Sequence, residues 1–469
     1  MSQLPTLFCL HALGASAREF DAVADELAGA FDVVALDLPG FGDASGATGL
    51  AVDDLVASVE RAIRRHGSTR WALVGHSMGG KVASLVAARA LAGTSPLFGL
   101  TGVVLLAASP PVPEPMDEER RERMLSWVAD GPLDDAAARE FVDGNVGSPL
   151  SPAADAVALD GLRRTSPDAW SAWLTRGSRE DRSHDVGVLD LPALILAGGA
   201  DGDLGEAAQR ELNGRAYPRA TVHVLPGAGH LLPLERPHEV AEAIATFWRE
   251  RADLGPVVPA DFAKVVASGR TTSVMRGTLA RRAVADDPDR APRALDATQL
   301  ATLRVVADRV VPQDGPAIDL AARLDEQLAE GRGDGWRVAG MPSDVEAYRL
   351  ALDALSDLDA LDDDARDAVL RRVDEGSYGA PTTGRPAATS LTPEQFSTWF
   401  EDCRVDLVKH WLSHPATMER VGFDGFATGG DLTRFEGWLK VGADEREGWE
   451  PALPPRSAPL PALAQEVSR

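Results

Sequence analysis

Residues 74–80 read VGHSMGG, with Ser77 between two glycines and directly after a histidine. The apolar run WALVG (71–75) leads into this stretch, and the helical pattern KVASLVAARA (81–90) follows it. This order predicts a sharp turn from a buried strand into a helix, with the serine held at its tip in strained backbone geometry. Ser77 is therefore a candidate nucleophile, and the N-terminus of the following helix would stabilise an oxyanion beside it.

The first half of the chain alternates short apolar runs with amphipathic helical stretches. Continuous apolar runs are typical of strands buried on both faces. Their alternation with helices predicts an α/β fold, in which helices cover both sides of a parallel sheet. The runs are LPTLFCLH (4–11), DVVALD (32–37), WALVG (71–75), GVVLLAA (102–108), PALILAG (192–198) and TVHVLPG (221–227).

The alternation stops between residues 111 and 186, where the pattern is polar and helical. This segment contains Trp127, Trp170 and Trp173. Its position predicts a helical lid over the carboxyl edge of the sheet. The alternative is a helical excursion on the surface, with the tryptophans as ordinary core residues.

A serine nucleophile needs a base, and the base needs a carboxylate that orients it. Asp201 directly follows the apolar run 192–198, and His230 lies in a turn after the next run. Both residues therefore fall on the same sheet edge as Ser77, and the order Ser, Asp, His is the one expected for this architecture. Asp203 is the alternative acid.

Residues 1–252 resemble the α/β-hydrolase family in their joint motifs. The matching pieces are LHALGAS (10–16), DLPGFGDAS (37–45), GHSMGG (75–80), GGAD (198–201) and PGAGH (226–230). The resemblance implies a serine hydrolase whose oxyanion hole uses the N–H of Met78 and that of Leu13 or Ala12. The family's first loop usually reads His-Gly, whereas this chain has His11-Ala12. His11 and His76 are expected to be structural polar residues beside the site.

The second half of the chain has helical periodicity and no alternating strand pattern. Residues 253–293 are proline-rich and locally basic, which predicts an irregular, solvated interdomain linker. Residues 294–450 predict a mostly α-helical domain, with a helix over 295–312 capped by Asp296 or Thr298. The tail 451–469 is proline-rich and is expected to be extended or disordered.

The helical domain resembles the small subunit (subunit 3) of gluconate 2-dehydrogenase. The residues that carry this resemblance are LDATQLATLRVVADRVVPQD (295–314), Ser413-His414-Pro415, Gly429-Gly430 and Gly437-Trp438, with Asp431 where the family often has Asn. The resemblance implies a partner, the large flavin-dependent oxidoreductase of the glucose–methanol–choline type. His414 and Trp438 are then packing or interface residues. The alternative is an independent helical domain that stabilises the hydrolase.

Composition narrows the possible functions. The net charge of −25 argues against nucleic acid and anionic membranes as partners. The two cysteines give neither a disulfide framework nor zinc spacing, and the sequence shows no metal motif and no GxGxxG, so no cofactor is expected. A leader or a spanning segment is not apparent, which predicts a cytoplasmic protein.

Two functions follow from these patterns. The first is a serine hydrolase that cleaves a carboxylic ester or lactone through an acyl-enzyme on Ser77, in association with a flavin-dependent oxidoreductase. The second is a catalytically idle scaffold subunit of such an oxidoreductase. The pattern of motifs favours the first.

Overall fold

A computed structural model describes residues 4–333, 335, 337–378 and 391–423 of the chain. Each of the six predicted apolar runs forms a strand. The strands are β1 (Thr6–Leu10), β2 (Asp32–Leu36), β3 (Trp71–His76), β4 (Leu100–Leu106), β5 (Ala193–Gly198) and β6 (Ala220–Leu225). They form one parallel sheet in the order β2-β1-β3-β4-β5-β6. The α/β fold predicted for this half is therefore confirmed.

Helices cover both faces of this sheet. They are α1 (Asp21–Glu26), α2 (Val52–His66), α3 (Met78–Ala92), α4 (Glu118–Ser126), α5 (Asp135–Asp143), α6 (Pro152–Arg163), α7 (Pro167–Thr175), α8 (Ser183–Val186), α9 (Glu206–Ala208), α10 (Leu232–Glu235), α11 (Pro237–Phe247), α12 (Ala260–Ala267) and α13 (Ser273–Ala283). Short 3₁₀ turns lie at Ala17–Phe20, Gly42–Ala44 and Gly177–Arg179, and π turns at Gln209–Asn213 and Trp248–Ala252.

Alternate residues of the central strands point into two apolar cores. Phe8 and Leu10 of β1 enter the core formed with α2 and α3, whereas Leu7 enters the core formed with α1 and α11. Burial on both faces explains why the strands read as continuous apolar runs. The sheet therefore holds the turns at its carboxyl edge on a rigid support.

The segment between β4 and β5 is helical, as predicted, and consists of α4 to α8. Trp170 is fully buried within it, and its indole N–H donates to the carbonyl of Met124 at 2.9 Å. Trp127 and Phe141 pack their rings against Trp170. The tryptophans thus form the core that holds this helical insertion together.

Residues 253–293 differ from the irregular, solvated linker that was expected. They contain α12 and α13, and Phe262, Val265 and Leu279 are buried in the same core as the sheet. Pro259 stands at the start of α12, a position where proline is tolerated, so it does not break structure there. Gly277 lets α13 approach the end of α3, because a Cβ there would clash with the carbonyl of Ala92. Small residues at close helix contacts leave little amphipathic pattern, so the helix was missed.

Arg276 of the basic stretch 270–282 is not solvated as the linker prediction would require. Arg276 is buried, and its guanidinium donates to the carbonyls of Val266, Gly93, Ser95, Ser268 and Thr271 at 3.0 to 3.4 Å. Two of these carbonyls follow α3, and the others belong to the α12–α13 connection. A single side chain therefore ties α12 and α13 to the body of the first half.

Arg276→Met is expected to lower the free energy of unfolding by about 3 kcal/mol, because it leaves several buried carbonyls without donors. Urea unfolding followed by tryptophan fluorescence measures this change. Arg65→Met is the matched control, since Arg65 is exposed on α2 and its loss should change stability by about 0.5 kcal/mol or less. Equal unfolding midpoints for the two variants would contradict this role of Arg276.

The described part of the second half is helical, as predicted. Its helices are α14 (Ala297–Val310), α15 (Leu320–Ala329), α16 (Asp344–Ala354), α17 (Asp363–Asp374), α18 (Pro393–Leu412) and α19 (Pro415–Arg420), with a 3₁₀ turn at Leu358–Ala360. These helices share a core of their own, in which Leu303, Leu324 and Trp399 are buried. Asp296 caps α14 together with Gln299, and Met418 of α19 joins the core of the first half.

Several predicted features lie outside the described residues. They are Gly429-Gly430, Asp431, Gly437-Trp438 and the tail 451–469. Within the described residues, no helix combines the length and apolar character that crossing a bilayer requires.

Candidate active site

Ser77 stands at the tip of the turn between β3 and α3. Its backbone has φ 46° and ψ −117°, a conformation that side-chain-bearing residues adopt only under strain. Glycines make the turn possible: a Cβ at Gly75 would lie 2.6 Å from the carbonyl oxygen of Gly79, and a Cβ at Gly79 would clash with the carbonyl of Leu10. The structure therefore has the strand-to-helix turn that the sequence predicts.

His230 and Asp201 meet at the carboxyl edge of the same sheet. Nδ1 of His230 lies 2.7 Å from Oδ2 of Asp201. The other carboxylate oxygen, Oδ1, accepts the backbone N–H groups of Asp203 and Leu204, each at 3.2 Å. The Asp203 side chain contacts Arg120 instead of the histidine. The structure thus brings Asp201, and not the alternative acid, to His230.

The pKa values of these groups reflect opposing effects. Burial by itself lowers the pKa of His230, but the hydrogen bond and charge of Asp201, helped by Glu114, raise it above its usual range. Burial favours the neutral form of Asp201, yet the hydrogen bond and charge of His230 and the two N–H groups lower the pKa of that carboxyl. At neutral pH the pair therefore consists of an ionised carboxylate and a histidine of increased basicity.

Ser77 and His230 line one small cavity, of about 40 Å³. Asp201 and Leu13 line it from the sheet edge. The insertion between β4 and β5 provides most of the remaining wall, through Glu114, Met116, Arg120, Met124, Phe141, Asn145 and Trp173. The helical insertion between β4 and β5 therefore lines the same cavity as Ser77 and His230.

An outer cleft of about 440 Å³ adjoins this cavity. The two spaces share the side chains of Arg120, Met124, Phe141 and Asn145. Arg120 donates to Asp203 and to the amide oxygen of Asn145, so it fastens α4 across the opening. These four side chains therefore form the boundary between the outer cleft and the cavity around Ser77.

The loop after β1 offers two candidate donors for an oxyanion hole, the backbone N–H groups of Ala12 and Leu13. The N–H of Ala12 donates to Oε1 of Glu19 at 3.1 Å, so it is already engaged. Leu13 lines the cavity beside Ser77, and Met78 begins α3 directly after the serine. The geometry leaves Leu13, together with Met78, as the candidate pair of donors.

Glu19 connects the loops of the site and was missed by the sequence reasoning. It is 1% exposed and contacts Nδ1 of His76 at 3.1 Å through both carboxylate oxygens. Nε2 of His76 donates to the carbonyl of His230 at 2.8 Å. Glu19 therefore links the loop of Ala12, the serine turn and the histidine turn. The sequence signal for Glu19 is its position directly before the buried Phe20, where an acidic residue is unexpected.

His11 also has a structural position. Its Nε2 accepts the backbone N–H of Leu38 at 3.0 Å, and its Nδ1 donates to the carbonyl of Ala12 at 2.7 Å. Both ring nitrogens are thereby used within the loop. Among the described residues, no three His, Cys, Asp or Glu side chains are grouped as metal ligands would be.

Glu19→Gln is expected to slow the reaction of Ser77 with a fluorophosphonate about tenfold, because the link between the three loops loses its charge. The second-order labelling rate constant measures the effect. Glu26→Gln, an exposed substitution on α1, serves as the control and should leave the rate unchanged. A Glu19→Gln rate equal to that of the unaltered protein would assign Glu19 to fold stability alone.

Comparison with known proteins places this site in a family. The model of the alpha/beta hydrolase family matches residues 7–243. The chain is 26% identical over 262 residues to a biotin biosynthesis bifunctional protein BioHC of Teredinibacter turnerae, covering 52% of this chain and 45% of that protein. It thus spans about half the length of such bifunctional relatives.

Other relatives match over most of their own length. A 2-succinyl-6-hydroxy-2,4-cyclohexadiene-1-carboxylate synthase of Serratia proteamaculans is 26% identical over 259 residues, which are 52% of this chain and 92% of the synthase. Among solved structures, the enol-lactonase of Burkholderia xenovorans is 20% identical with a TM-score of 0.46, covering 53% of this chain and 93% of the lactonase.

The family model extends from β1 into α11, and so contains the sheet, the serine turn, Asp201 and His230. This range is half of the chain. From this family match, the chain belongs to the alpha/beta hydrolase family.

Proposed function

We propose that the protein is a serine hydrolase that cleaves a carboxylic ester or a lactone through an acyl-enzyme on Ser77. The observation that carries this proposal is the 2.7 Å contact between His230 and Asp201 at a cavity that Ser77 also lines. Membership of the alpha/beta hydrolase family supports it. Ester and lactone hydrolysis require only water besides the side chains present.

In the first step, Oγ of Ser77 attacks the substrate carbonyl while Nε2 of His230 accepts the serine proton. Asp201 keeps the other histidine proton on Nδ1 and so presents Nε2 as the base. The N–H groups of Met78 and Leu13 stabilise the oxyanion. The alcohol then leaves with the proton from His230. Water attacks the acyl-enzyme in the same way, and the free acid is released; with a lactone, the acid and alcohol are one product.

The cavity walls set the expected substrate class. Met116, Met124, Phe141 and Trp173 give the cavity an apolar side. Burial raises the pKa of Glu114, and nearby positive groups, His230 first, only partly offset this effect. Because the cavity is small, about 40 Å³, we expect short acyl groups to react faster than long ones.

Fluorophosphonate labelling followed by peptide mass spectrometry tests the proposal. A stoichiometric adduct on Ser77 is expected, lost in Ser77→Ala and much slower in His230→Ala. Hydrolysis of short p-nitrophenyl esters and of simple lactones then separates the two substrate types. A folded protein that neither labels nor hydrolyses these compounds would reject the proposal.

The labelling rate is expected to fall on acidification, with its midpoint above pH 6.5, the usual pKa of histidine. The reason is that His230 must be unprotonated to accept the serine proton, and its pKa is raised. A series of rate constants between about pH 5 and 9 measures the midpoint. In Asp201→Asn the midpoint should move to lower pH, because Asp201 provides the increase. A midpoint at or below 6.5 in the unaltered protein would contradict this assignment.

A second proposal concerns the helical half and its resemblance to the small subunit of gluconate 2-dehydrogenase. We propose that α14 to α19 associate with a flavin-dependent oxidoreductase, either beside an active hydrolase or as part of an idle scaffold. The features that support it are the helix over 297–310 and the Ser413-His414-Pro415 corner, where His414 is buried and caps α19. Copurification of a yellow, flavin-containing protein tests the association. A single colourless species from the native host would reject it.

A further inference from the structure

A cleft of about 1230 Å³ lies where α13 meets α15 and α18. Its wall shares no residue with the cavity around Ser77. Eight basic residues and seven carboxylates line it, in a chain whose net charge is −25. The basic residues that line it are Arg219, Arg281, Arg282, Arg290, Arg293, Arg323, Arg332 and Lys409.

The carboxylates that line the cleft already have cationic partners. Asp286, for example, pairs with Arg323 at 2.8 Å, and Glu326 pairs with Arg290 at 3.2 Å. The other five are paired in the same way, namely Asp185 with Arg182, Asp190 with Arg219, Asp287 and Asp289 with Arg251, and Glu330 with Arg293 and Arg332. Each carboxylate of the wall thus has at least one arginine at ion-pair distance.

Three cations of the cleft have no carboxylate at ion-pair distance within the described part of the chain: Arg281, Arg282 and Lys409. Arg281 donates to the carbonyl of Leu91 at 2.9 Å, and Arg282 reaches only the carbonyl of Ser413, at 3.5 Å. Lys409 is exposed on α18. These three cations of the wall therefore have no carboxylate of their own within the described residues, and the cleft as a whole is lined by one more cation than carboxylate.

His410 lies beside these cations. Its Nε2 is buried and has no hydrogen-bond partner among the described residues. Burial, followed by the charges of Arg323, Lys409, Arg332 and Arg282, lowers the pKa of His410 to about 4. Burial and then other arginines, Arg323 first, also lower the pKa of Arg282. Cations that lack a carboxylate partner and repel one another favour a bound counterion, since an anion removes the repulsion.

We propose that this cleft binds a small, multiply charged oxyanion through Arg281, Arg282 and Lys409. Guanidinium groups recognise phosphate and carboxylate oxygens by paired hydrogen bonds, and the ammonium of Lys409 adds a point charge. His410, whose Nε2 has no hydrogen-bond partner among the described residues, is also a lining residue of the cleft. The ligand class is therefore a phosphate-type or polycarboxylate anion, and its site is separate from the serine site.

Calorimetric titration of the full chain with inorganic pyrophosphate, at constant ionic strength, tests the proposal. We expect one site per chain, and at least about tenfold weaker binding in the double variant Arg282→Gln/Lys409→Gln. Lys264→Gln is the matched control, because Lys264 is exposed on α12 away from the cleft. Lys409→Gln alone should also weaken binding, and its exposed position keeps the fold intact. A shift of the His410 ring signals in the magnetic resonance spectrum gives an independent readout.

Three outcomes would overturn the proposal. One is the absence of heat with the folded full chain. Another is equal affinity in the double variant and in Lys264→Gln. The third is a carbodiimide cross-link, formed without pyrophosphate, between Lys409 and a carboxylate in residues 424–450. That result would mean that a segment of the chain itself, and not a separate anion, binds to Lys409.

Discussion

Ser77→Ala is expected to lower kcat for an ester or lactone by about 10⁵-fold or more. Without Oγ no acyl-enzyme forms, and His230 has no serine proton to accept. The residual rate would come from the oxyanion donors and from binding alone. The effect should appear in kcat, with KM little changed, because the side chain is small and the cavity keeps its walls.

Steady-state hydrolysis of a short p-nitrophenyl ester measures this loss, with circular dichroism as the check of folding. Ser126→Ala is the control, since Ser126 is exposed on α4. If folded Ser77→Ala kept more than about a tenth of the activity, an acyl-enzyme at Ser77 would be ruled out.

Asp201→Asn is expected to lower kcat by about 10⁴-fold. An amide at this position offers an N–H to Nδ1 of His230, which then carries its proton on Nε2 and cannot act as the base. The backbone donors of Asp203 and Leu204 still have an oxygen to bind, so the loop should keep its shape. The loss therefore reports on the histidine tautomer.

Asp203→Asn is the matched control for this variant. Its side chain lies two residues away and contacts Arg120, not His230. Its kcat should fall less than about tenfold, through a looser contact between α4 and the opening of the cavity. A larger loss in Asp203→Asn than in Asp201→Asn would reverse the roles assigned to the two carboxylates.

The sequence predicted the elements whose signals are local. The six strands were predicted because strands buried on both faces are continuously apolar. The serine turn was predicted because Gly75 and Gly79 stand where the strand and helix must approach closely. Asp201 was named through its position after β5, and its contact with His230 at 2.7 Å agrees with that interpretation.

Features that depend on tertiary contacts were missed. Glu19 looks like an ordinary acidic residue in a short turn, and only the fold brings it to His76 and Ala12. Arg276 has the sequence context of a basic linker, yet two of its partners, the carbonyls of Gly93 and Ser95, are far away in the chain. Such contacts leave no periodic pattern, because they join single residues from separate segments.

The packing of α12 and α13 against α3 also has a consequence for folding during synthesis. During synthesis, residues 1–252 leave the ribosome before these two helices do. The apolar surface that Phe262, Val265 and Leu279 cover is then exposed on the nascent chain. Met418 of α19 joins the same core, so the first half completes it only after residue 418 has emerged, and until then it offers a binding surface to chaperones.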